Sequence, residues 1–460
     1  MFLLSSLLFC FTKITAKNPP NIIFIFADDL GWGDLSCYGN DDIKTPSLDK
    51  LANEGTLFTQ FYVSGSVCSP SRAGIMTGLY PARNRIFGHL ATHQINERRE
   101  MPDALNPNVT TLTDILKQAG YTTAHFGKWH LGNIPPSEYG IDIYRTDNFS
   151  NIADGKPIDI WSPQVRPTAT KDILDETFSF IEKGYENPFY INVWLSDVHA
   201  TLNPSQEQMD RVANESDRNK PIHDIPYSGI QQVYYAALLE MDKQIGIFLD
   251  KLDKLGVKEN TLIIFSSDNG PEDYHINNSR HSGAGNTGPF RGRKRSIYEG
   301  GIRVPFIMSW PGNIPMNKIN ETSVVTGVDF LPTIASLIDI EIGNDFELDG
   351  ENMIDVWKGE ARYRKKEIFW EWRYRIHSHI IHKSPMIAVR DGDYKLLLDP
   401  DLSRVELYNI IEDSSELNNL ALLMPKKARE LSEKALKWYE TIPKSPVHDS
   451  AGKNNWIINR

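Results

Sequence analysis

The chain has 460 residues, of which 40% are hydrophobic and 24% are charged. These values are ordinary for a soluble globular protein and argue against a repeat array, a coiled coil or a long disordered region. The formal charge of −11 argues against general binding to nucleic acid, so an anionic substrate would need a local basic pocket.

Residues 1–16 form a short apolar leader that ends at Ala16, before Lys17. This pattern is typical of a signal peptide, and we expect an exported chain, periplasmic or secreted, whose remaining cysteines are Cys37 and Cys68. A misread start and a buried N-terminal segment are the alternatives. No later stretch is apolar enough over the length that a membrane span needs.

Four short apolar runs along the chain each end in polar residues. Continuous apolar strands are typical of a mainly parallel sheet that helices cover on both faces. Ligands bind at the carboxyl ends of such strands, so we expect these polar residues to form one active site. The runs are 21–27 before Asp28-Asp29, 121–126 before Gly127-Lys128-Trp129-His130, 189–195 before Asp197-Val198-His199, and 261–267 before Asp268-Asn269-Gly270.

Amphipathic patterns between the runs predict helices over 110–120 and 231–255. The alternation of strands and helices predicts an α/β layer architecture. After about residue 365 the pattern changes to short strands joined by turns, followed by a helix. We therefore predict a catalytic domain over 17–365 and a smaller C-terminal subdomain over 366–460, with an antiparallel sheet and one helix. Its predicted elements are strands at 368–372, 386–390 and 394–398 and a helix at 428–441.

Two acidic pairs predict a metal site. Asp28, Asp29, Asp268 and Asn269 offer hard oxygen ligands, which suit Ca²⁺ or Mg²⁺ better than Zn²⁺. Such pairs also make turns and cap strands without any ligand. Because both pairs directly follow apolar strands, the metal site is the favoured interpretation.

The segment Cys68-Ser69-Pro70-Ser71-Arg72 predicts the start of a helix, because proline suits the first helical turn. Cys68 would lie at the positive end of the helix dipole, and Arg72 would share its side of the helix. A buried structural cysteine is the alternative. The segment resembles the Cys-x-Pro-x-Arg signature of the type I sulfatases, and 80–83 and 127–132 also resemble the family pattern. All ten positions expected of the family are filled, in order, across residues 28–294.

This resemblance implies an alkaline-phosphatase-like fold with a C-terminal subdomain. It implies that a formylglycine-generating enzyme or an equivalent oxidises Cys68 to formylglycine, whose hydrate is the nucleophile. It also implies one Ca²⁺ per chain, bound by Asp28, Asp29, Asp268, Asn269 and the formylglycine oxygen.

The resemblance assigns the remaining roles. Arg72 would orient the hydrate, and Lys128 and Lys294 would neutralise the sulfate oxygens. His199 would protonate the departing alcohol, and His130 would take the proton from the second hydroxyl.

Several basic residues are candidates for substrate subsites, with a solvated loop as the alternative for each group. We expect the substrate to be a sulfated poly- or oligosaccharide. The alternatives are a small aryl sulfate, a phosphonate or phosphodiester, and a non-catalytic sulfatase-like protein that binds glycans. The subsite candidates are Arg280, His281, Arg373, Arg375, His377 and His379.

Overall fold

The computed structural model describes residues 19–215, 229–276, 279, 281–343 and 347–454. The predicted leader at 1–16 and the subsite candidate Arg280 lie outside these residues. In the part of the chain that is described, no helix combines the length and apolar character needed to cross a membrane.

The secondary structure comprises thirteen strands and eleven α-helices within these ranges. The strands are β1 (Asn21–Ala27), β2 (Thr56–Tyr62), β3 (Thr122–Gly127), β4 (Ile143–Thr146), β5 (Phe189–Trp194), β6 (Thr261–Ser267), β7 (Arg303–Ser309), β8 (Lys318–Asn320), β9 (Val325–Thr326), β10 (Ile368–Glu371), β11 (Ile387–Asp391), β12 (Tyr394–Leu398) and β13 (Val405–Asn409). The helices are α1 (Pro46–Asn53), α2 (Cys68–Thr77), α3 (His93–Arg98), α4 (Leu112–Gln118), α5 (Ala169–Glu182), α6 (Gln206–Glu215), α7 (Gly229–Lys254), α8 (Glu299–Ile302), α9 (Phe330–Leu337), α10 (Ile354–Trp357) and α11 (Pro425–Tyr439).

The main sheet has nine strands in the order β4-β3-β5-β1-β6-β7-β2-β8, with β9 paired to β2. The five strands from β4 to β6 pair in parallel. Strand β7 runs antiparallel to both β6 and β2. The predicted mainly parallel, mixed sheet is therefore confirmed, although β7 had not been predicted from the sequence.

The central strand β1 is buried on both faces of the sheet. Ile22 and Phe24 face a core shared with α2, α4 and α9. Ile23 and Ile25 face a second core shared with α1, α5 and α7. Since side chains alternate between faces, burial of both faces requires a continuous apolar run. The predicted helices over 110–120 and 231–255 are observed as α4 and α7.

The C-terminal region forms a separate four-stranded antiparallel sheet in the order β10-β11-β12-β13. Helix α11 packs on this sheet, as predicted, whereas the fourth strand β13 had not been predicted. The exact domain boundary at 365/366 stays a prediction.

A fully buried lysine joins this sheet to the main domain. The Nζ of Lys395 on β12 lies 2.9 Å from Glu299 Oε1 and 3.0 Å from Glu416 Oε1. Glu299 also accepts a hydrogen bond of 2.5 Å from the Tyr62 hydroxyl of the main sheet. Burial raises the pKa of Glu416, and the charge of Lys395 opposes this increase. Lys395 is therefore the cation that pairs with two carboxylates buried away from solvent, one of which, Glu299, also pairs with Arg303.

Replacing Lys395 by methionine should leave Glu416 buried without its cation, while Glu299 keeps only Arg303, 3.3 Å away. We expect Lys395→Met to lower the free energy of unfolding by about 3–5 kcal/mol, measured by urea denaturation at pH 7. Lys426→Met, at an exposed position of α11, is the control and should change stability little. A loss below about 1 kcal/mol for Lys395→Met would contradict the role given to this lysine.

Candidate active site

The two acidic pairs meet at the carboxyl edge of the main sheet. Asp28 and Asp29 follow β1, and Asp268 and Asn269 follow the adjacent β6; all four are buried. The backbone N–H of Asp29 donates to Asp268 Oδ1 at 3.2 Å, and Asn269 Nδ2 donates to Asp29 Oδ1 at 2.7 Å. Asp29 has φ of 63°, a left-handed conformation that aspartate tolerates better than most residues.

Cys68 is the first residue of α2, as predicted, and its side chain is buried beside this edge. Its Sγ lies 3.4 Å from Asp28 Oδ1. Burial raises the pKa of the Cys68 thiol, and the charge of Asp268 adds to the increase. One turn along α2, the Nη2 and Nε of Arg72 donate to Asp268 Oδ2 at 2.7 and 3.1 Å. The helix thus brings Cys68 to a carboxylate of the first acidic pair and Arg72 to a carboxylate of the second.

Two buried lysines bind the first acidic pair. The Nζ of Lys128 lies 2.6 Å from Asp28 Oδ2, and the Nζ of Lys294 lies 2.5 Å from Asp29 Oδ1. Burial alone would lower the pKa of each lysine, but these carboxylates raise both above their usual range. Gly127 has φ of 103°, and a Cβ there would lie 2.0 Å from a backbone oxygen, so glycine is required just before Lys128.

His130 is held by the carbonyl oxygen of Leu90, 3.0 Å from its Nε2. A carbonyl only accepts hydrogen bonds, so Nε2 carries the proton and Nδ1 carries a lone pair. Nδ1 is buried without a hydrogen-bond partner among the described residues. Burial and the charge of Lys128 hold the pKa of His130 well below its usual range. The ring is therefore neutral, with an unprotonated nitrogen that can accept a proton.

His199 has the opposite arrangement. Its Nδ1 donates to the carbonyl oxygen of Ala200 at 2.5 Å, and its Nε2 lies 3.8 Å from Asp29 Oδ2. Burial lowers the pKa of His199, while the charges of Asp28 and Asp29 oppose the decrease. Its Nε2 is therefore the nitrogen that can exchange a proton with a ligand in the site.

The arrangement fits a divalent cation. Asp28, Asp29, Cys68 and His199 each offer a ligand atom, and these atoms lie within 4.8 Å of one another. Within the described residues, Asp29 Oδ2 and Asn269 Oδ1 are buried and accept no hydrogen bond. Three buried carboxylates face three buried cations, so a bound divalent cation would make the site net positive. That charge suits an anionic ester.

Three residues of the site had not been predicted from the sequence. The Trp161 ring centre lies 5.4 Å from that of His199 and 5.5 Å from Lys128 Nζ. Arg166 Nη2 donates to the His199 carbonyl oxygen at 2.5 Å. Glu272 lies 3.7 Å from Lys294 Nζ. Trp161 and Arg166 lie in a loop that follows no apolar run, and Glu272 lies three residues beyond Asn269 in the loop after β6, so no sequence pattern marked them.

The subsite candidates differ in how far they are exposed to solvent and in the contacts that they make. Arg373 is fully buried, pairs with Glu371, and lies 3.8 Å above the Phe87 ring. It therefore stabilises the interior and cannot reach a substrate, which corrects its assignment as a subsite residue. His379 caps a short 3₁₀ helix by accepting from the N–H of Ile381 at 3.4 Å.

The other candidates are more accessible. Arg375 and His281 are half-buried, and His377 is exposed. Their role in substrate binding stays a prediction.

The fold and the site together define an α/β protein with a buried cluster of cations and carboxylates that suits an anionic ester. The sulfatase family model matches residues 20–340, and a model described as N-sulphoglucosamine sulphohydrolase, C-terminal, matches 285–438. The chain belongs to the sulfatase family, as its resemblance to the family predicted.

Similar proteins include carbohydrate sulfatases. An N-acetylgalactosamine-6-O-sulfatase of Bacteroides thetaiotaomicron is 28% identical, over 92% of this chain and 95% of that protein. The N-acetylgalactosamine-6-sulfatase of Canis lupus familiaris is 30% identical, over 83% of this chain and 72% of that protein. A crystal structure of Ps i-CgsB in complex with k-i-k-neocarrahexaose superposes with a TM-score of 0.74 at 27% identity, covering 92% of this chain and 93% of that one.

A buried histidine beneath the site predicts a pH dependence of stability. His125 Nε2 donates to the Lys128 carbonyl oxygen at 3.1 Å, and burial lowers the pKa of His125 to about 3. The unfolded chain binds this proton near pH 6.5, so the contribution of His125 is complete above that pH and is lost as pH falls towards 3. His125→Gln should therefore destabilise the protein less at pH 5 than at pH 7, by about 2 kcal/mol in urea denaturation.

His93 provides the control for this measurement. It is exposed, and Asp103 raises its pKa by accepting a hydrogen bond from the ring. His93→Gln should therefore shift the acid dependence in the opposite direction. If His125→Gln destabilises the protein equally at pH 5 and pH 7, the pKa of His125 is not lowered by folding.

Proposed function

We propose that this sulfatase removes sulfate from a sulfated carbohydrate, with formylglycine at position 68 as the nucleophile and Ca²⁺ as the metal. The position of Cys68 carries the proposal. Cys68 starts α2 and contacts Asp28, and the positive charges of Lys128 and Lys294 favour a negatively charged group at this position. The carbohydrate class is supported by relatives named as N-acetylgalactosamine-6-sulfatases. We also propose that the chain is exported and that a formylglycine-generating enzyme or an equivalent matures it.

Ca²⁺ would be held by oxygens of Asp28, Asp29, Asp268, Asn269 and the modified residue 68. When bound, it supplies positive charge that polarises the sulfate oxygens. The hydrated aldehyde supplies a hydroxyl nucleophile.

Two lysines bind the sulfate group. Lys128 and Lys294 place their ammonium groups at the carboxylates of Asp28 and Asp29, so short movements bring them to the sulfate oxygens. Arg72 is held by Asp268 and offsets negative charge beside residue 68. These cations therefore stabilise the negative charge that develops on the sulfate ester during the reaction.

Two histidines move protons at defined nitrogens. His199 donates from Nε2 to the departing sugar oxygen when both ring nitrogens are protonated, a form that the charges of Asp28 and Asp29 favour; its Nδ1 proton stays bonded to Ala200. His130 accepts a proton at Nδ1, because its Nε2 is bonded to Leu90. The backbone thus selects one nitrogen of each ring for the reaction.

The proposal predicts that the purified chain releases inorganic sulfate from sulfated oligosaccharides and from an aryl sulfate. Cys68→Ala and His130→Ala should fold with unchanged circular dichroism and lose at least about a thousand-fold in kcat, since nucleophile and base act only in the reaction. Sulfate release is measured by ion chromatography, and mass spectrometry of the active chain should show formylglycine at position 68.

A matched substrate pair and a matched variant complete this test. An aryl phosphodiester of the same leaving group should be a much poorer substrate; faster turnover of it would identify a phosphodiesterase. His93→Gln, at an exposed position outside the ion pairs of the site, should keep wild-type kcat. Wild-type turnover by Cys68→Ala would remove the proposed nucleophile.

Metal removal should change stability as well as activity. Chelation by EGTA should lower the melting temperature by several degrees, because a ligand bound only to the folded state stabilises it. Excess Ca²⁺ should restore the wild-type value, and Asp29→Asn should abolish the Ca²⁺ response. Asp401→Asn, at an exposed turn, is the control. Equal melting temperatures with EGTA and with Ca²⁺ would contradict the metal assignment.

A further inference from the structure

A cationic cavity lies in the C-terminal subdomain, outside the site described above. It has a volume of about 220 Å³ and is formed by the segments 375–383 and 448–453. Lys383, Arg375 and Lys453 line it together with His448, against one acidic residue, Asp449. Positive charge is therefore concentrated here in a chain whose formal charge is −11.

Arg375 is the distinctive residue of this cavity. It is half-buried, and its guanidinium makes no hydrogen bond or ion pair within the described residues. Nearby arginines do have carboxylate partners: Arg295 with Glu272, Arg373 with Glu371, and Arg404 with Glu406. An arginine in a cavity without a carboxylate partner presents its donors to whatever enters.

The other groups of the cavity are also donors. His448 Nδ1 accepts a hydrogen bond of 3.1 Å from the backbone N–H of Ser450, so the neutral ring carries its proton on Nε2. Burial and the charge of Arg375 lower the pKa of Lys383. Like charges have been brought together here, and an anion would relieve their repulsion.

The cavity adjoins the loop that carries Lys294. In this loop, the N–H of Gly292 donates to His382 Nδ1 at 3.0 Å, and Arg291 Nε donates to the Ile381 carbonyl oxygen at 2.5 Å. Partial burial and the charges of Arg375 and Arg295 lower the pKa of His377, which follows Arg375 by two residues. A chain molecule bound at Lys294 therefore has a cationic path towards the cavity.

We infer that this cavity is a subsite for a second anionic group, a sulfate or carboxylate, on another sugar of the glycan whose sulfate ester is cut. The inference rests on the proposed function. The volume holds one such group with water and is too small for a sugar chain. An acidic protein repels a polyanionic glycan at long range. Local recognition of a second anionic group therefore orients the glycan in the site and increases its affinity.

The test measures binding, independently of turnover. The probe is a heparin tetrasaccharide, which carries sulfates and carboxylates on successive sugars, titrated by calorimetry into the wild-type chain, Arg375→Gln, Lys453→Gln and the control Lys426→Gln. We expect Arg375→Gln to raise the dissociation constant about ten-fold, as for the loss of a charged hydrogen bond. Lys453→Gln, at an exposed position, should weaken it less and keeps the test valid if Arg375→Gln does not fold. Lys426→Gln should bind as the wild type does.

The possible results distinguish a failure of the subsite proposal from a failure of the proposed function. Equal dissociation constants for wild type and Arg375→Gln, or no binding of the tetrasaccharide by wild type, would overturn the subsite. Inorganic sulfate titrated alone distinguishes a free anion from a glycan group: if Arg375→Gln weakens both ligands equally, the cavity binds free anions and the glycan assignment is wrong. Turnover of an aryl sulfate by the wild type tests the proposed function by itself.

Discussion

Three buried ion pairs at the carboxyl edge of the main sheet constrain the rest of the structure. Burying a charge without a partner is unfavourable by several kcal/mol, so each member must be placed against its partner. The two central strands supply the carboxylates, while a helix and two loops supply the cations. The pairs are Asp28 with Lys128, Asp29 with Lys294, and Asp268 with Arg72.

The C-terminal subdomain contacts the loop that carries Lys294. Lys395 binds Glu299 just after the loop of Lys294, and His382 binds the backbone of Gly292 within that loop. The loop is therefore held by the main sheet on one side and by the subdomain on the other. This explains how a second sheet that contributes no residue to the ion pairs still determines the geometry of the site.

Backbone carbonyl groups decide which histidine nitrogens face the site. The carbonyl oxygens of Leu90 and Ala200 each accept a hydrogen bond from one ring and leave the other nitrogen for chemistry. Arg166 in turn holds the loop of His199 through its carbonyl oxygen. Proton transfer thus depends on loop conformations that no single catalytic side chain determines.

The sequence by itself determined the central strands, the two acidic pairs after them, and the start of α2 at Cys68. Strands buried on both faces must be continuously apolar, and one helical turn separates Cys68 from Arg72, so local patterns were sufficient. Only the tertiary structure decided the antiparallel direction of β7, the inward position of Arg373, and the cavity around Arg375. These depend on contacts between segments far apart in the chain, such as the packing of Arg373 against Phe87, and local sequence patterns do not record such contacts.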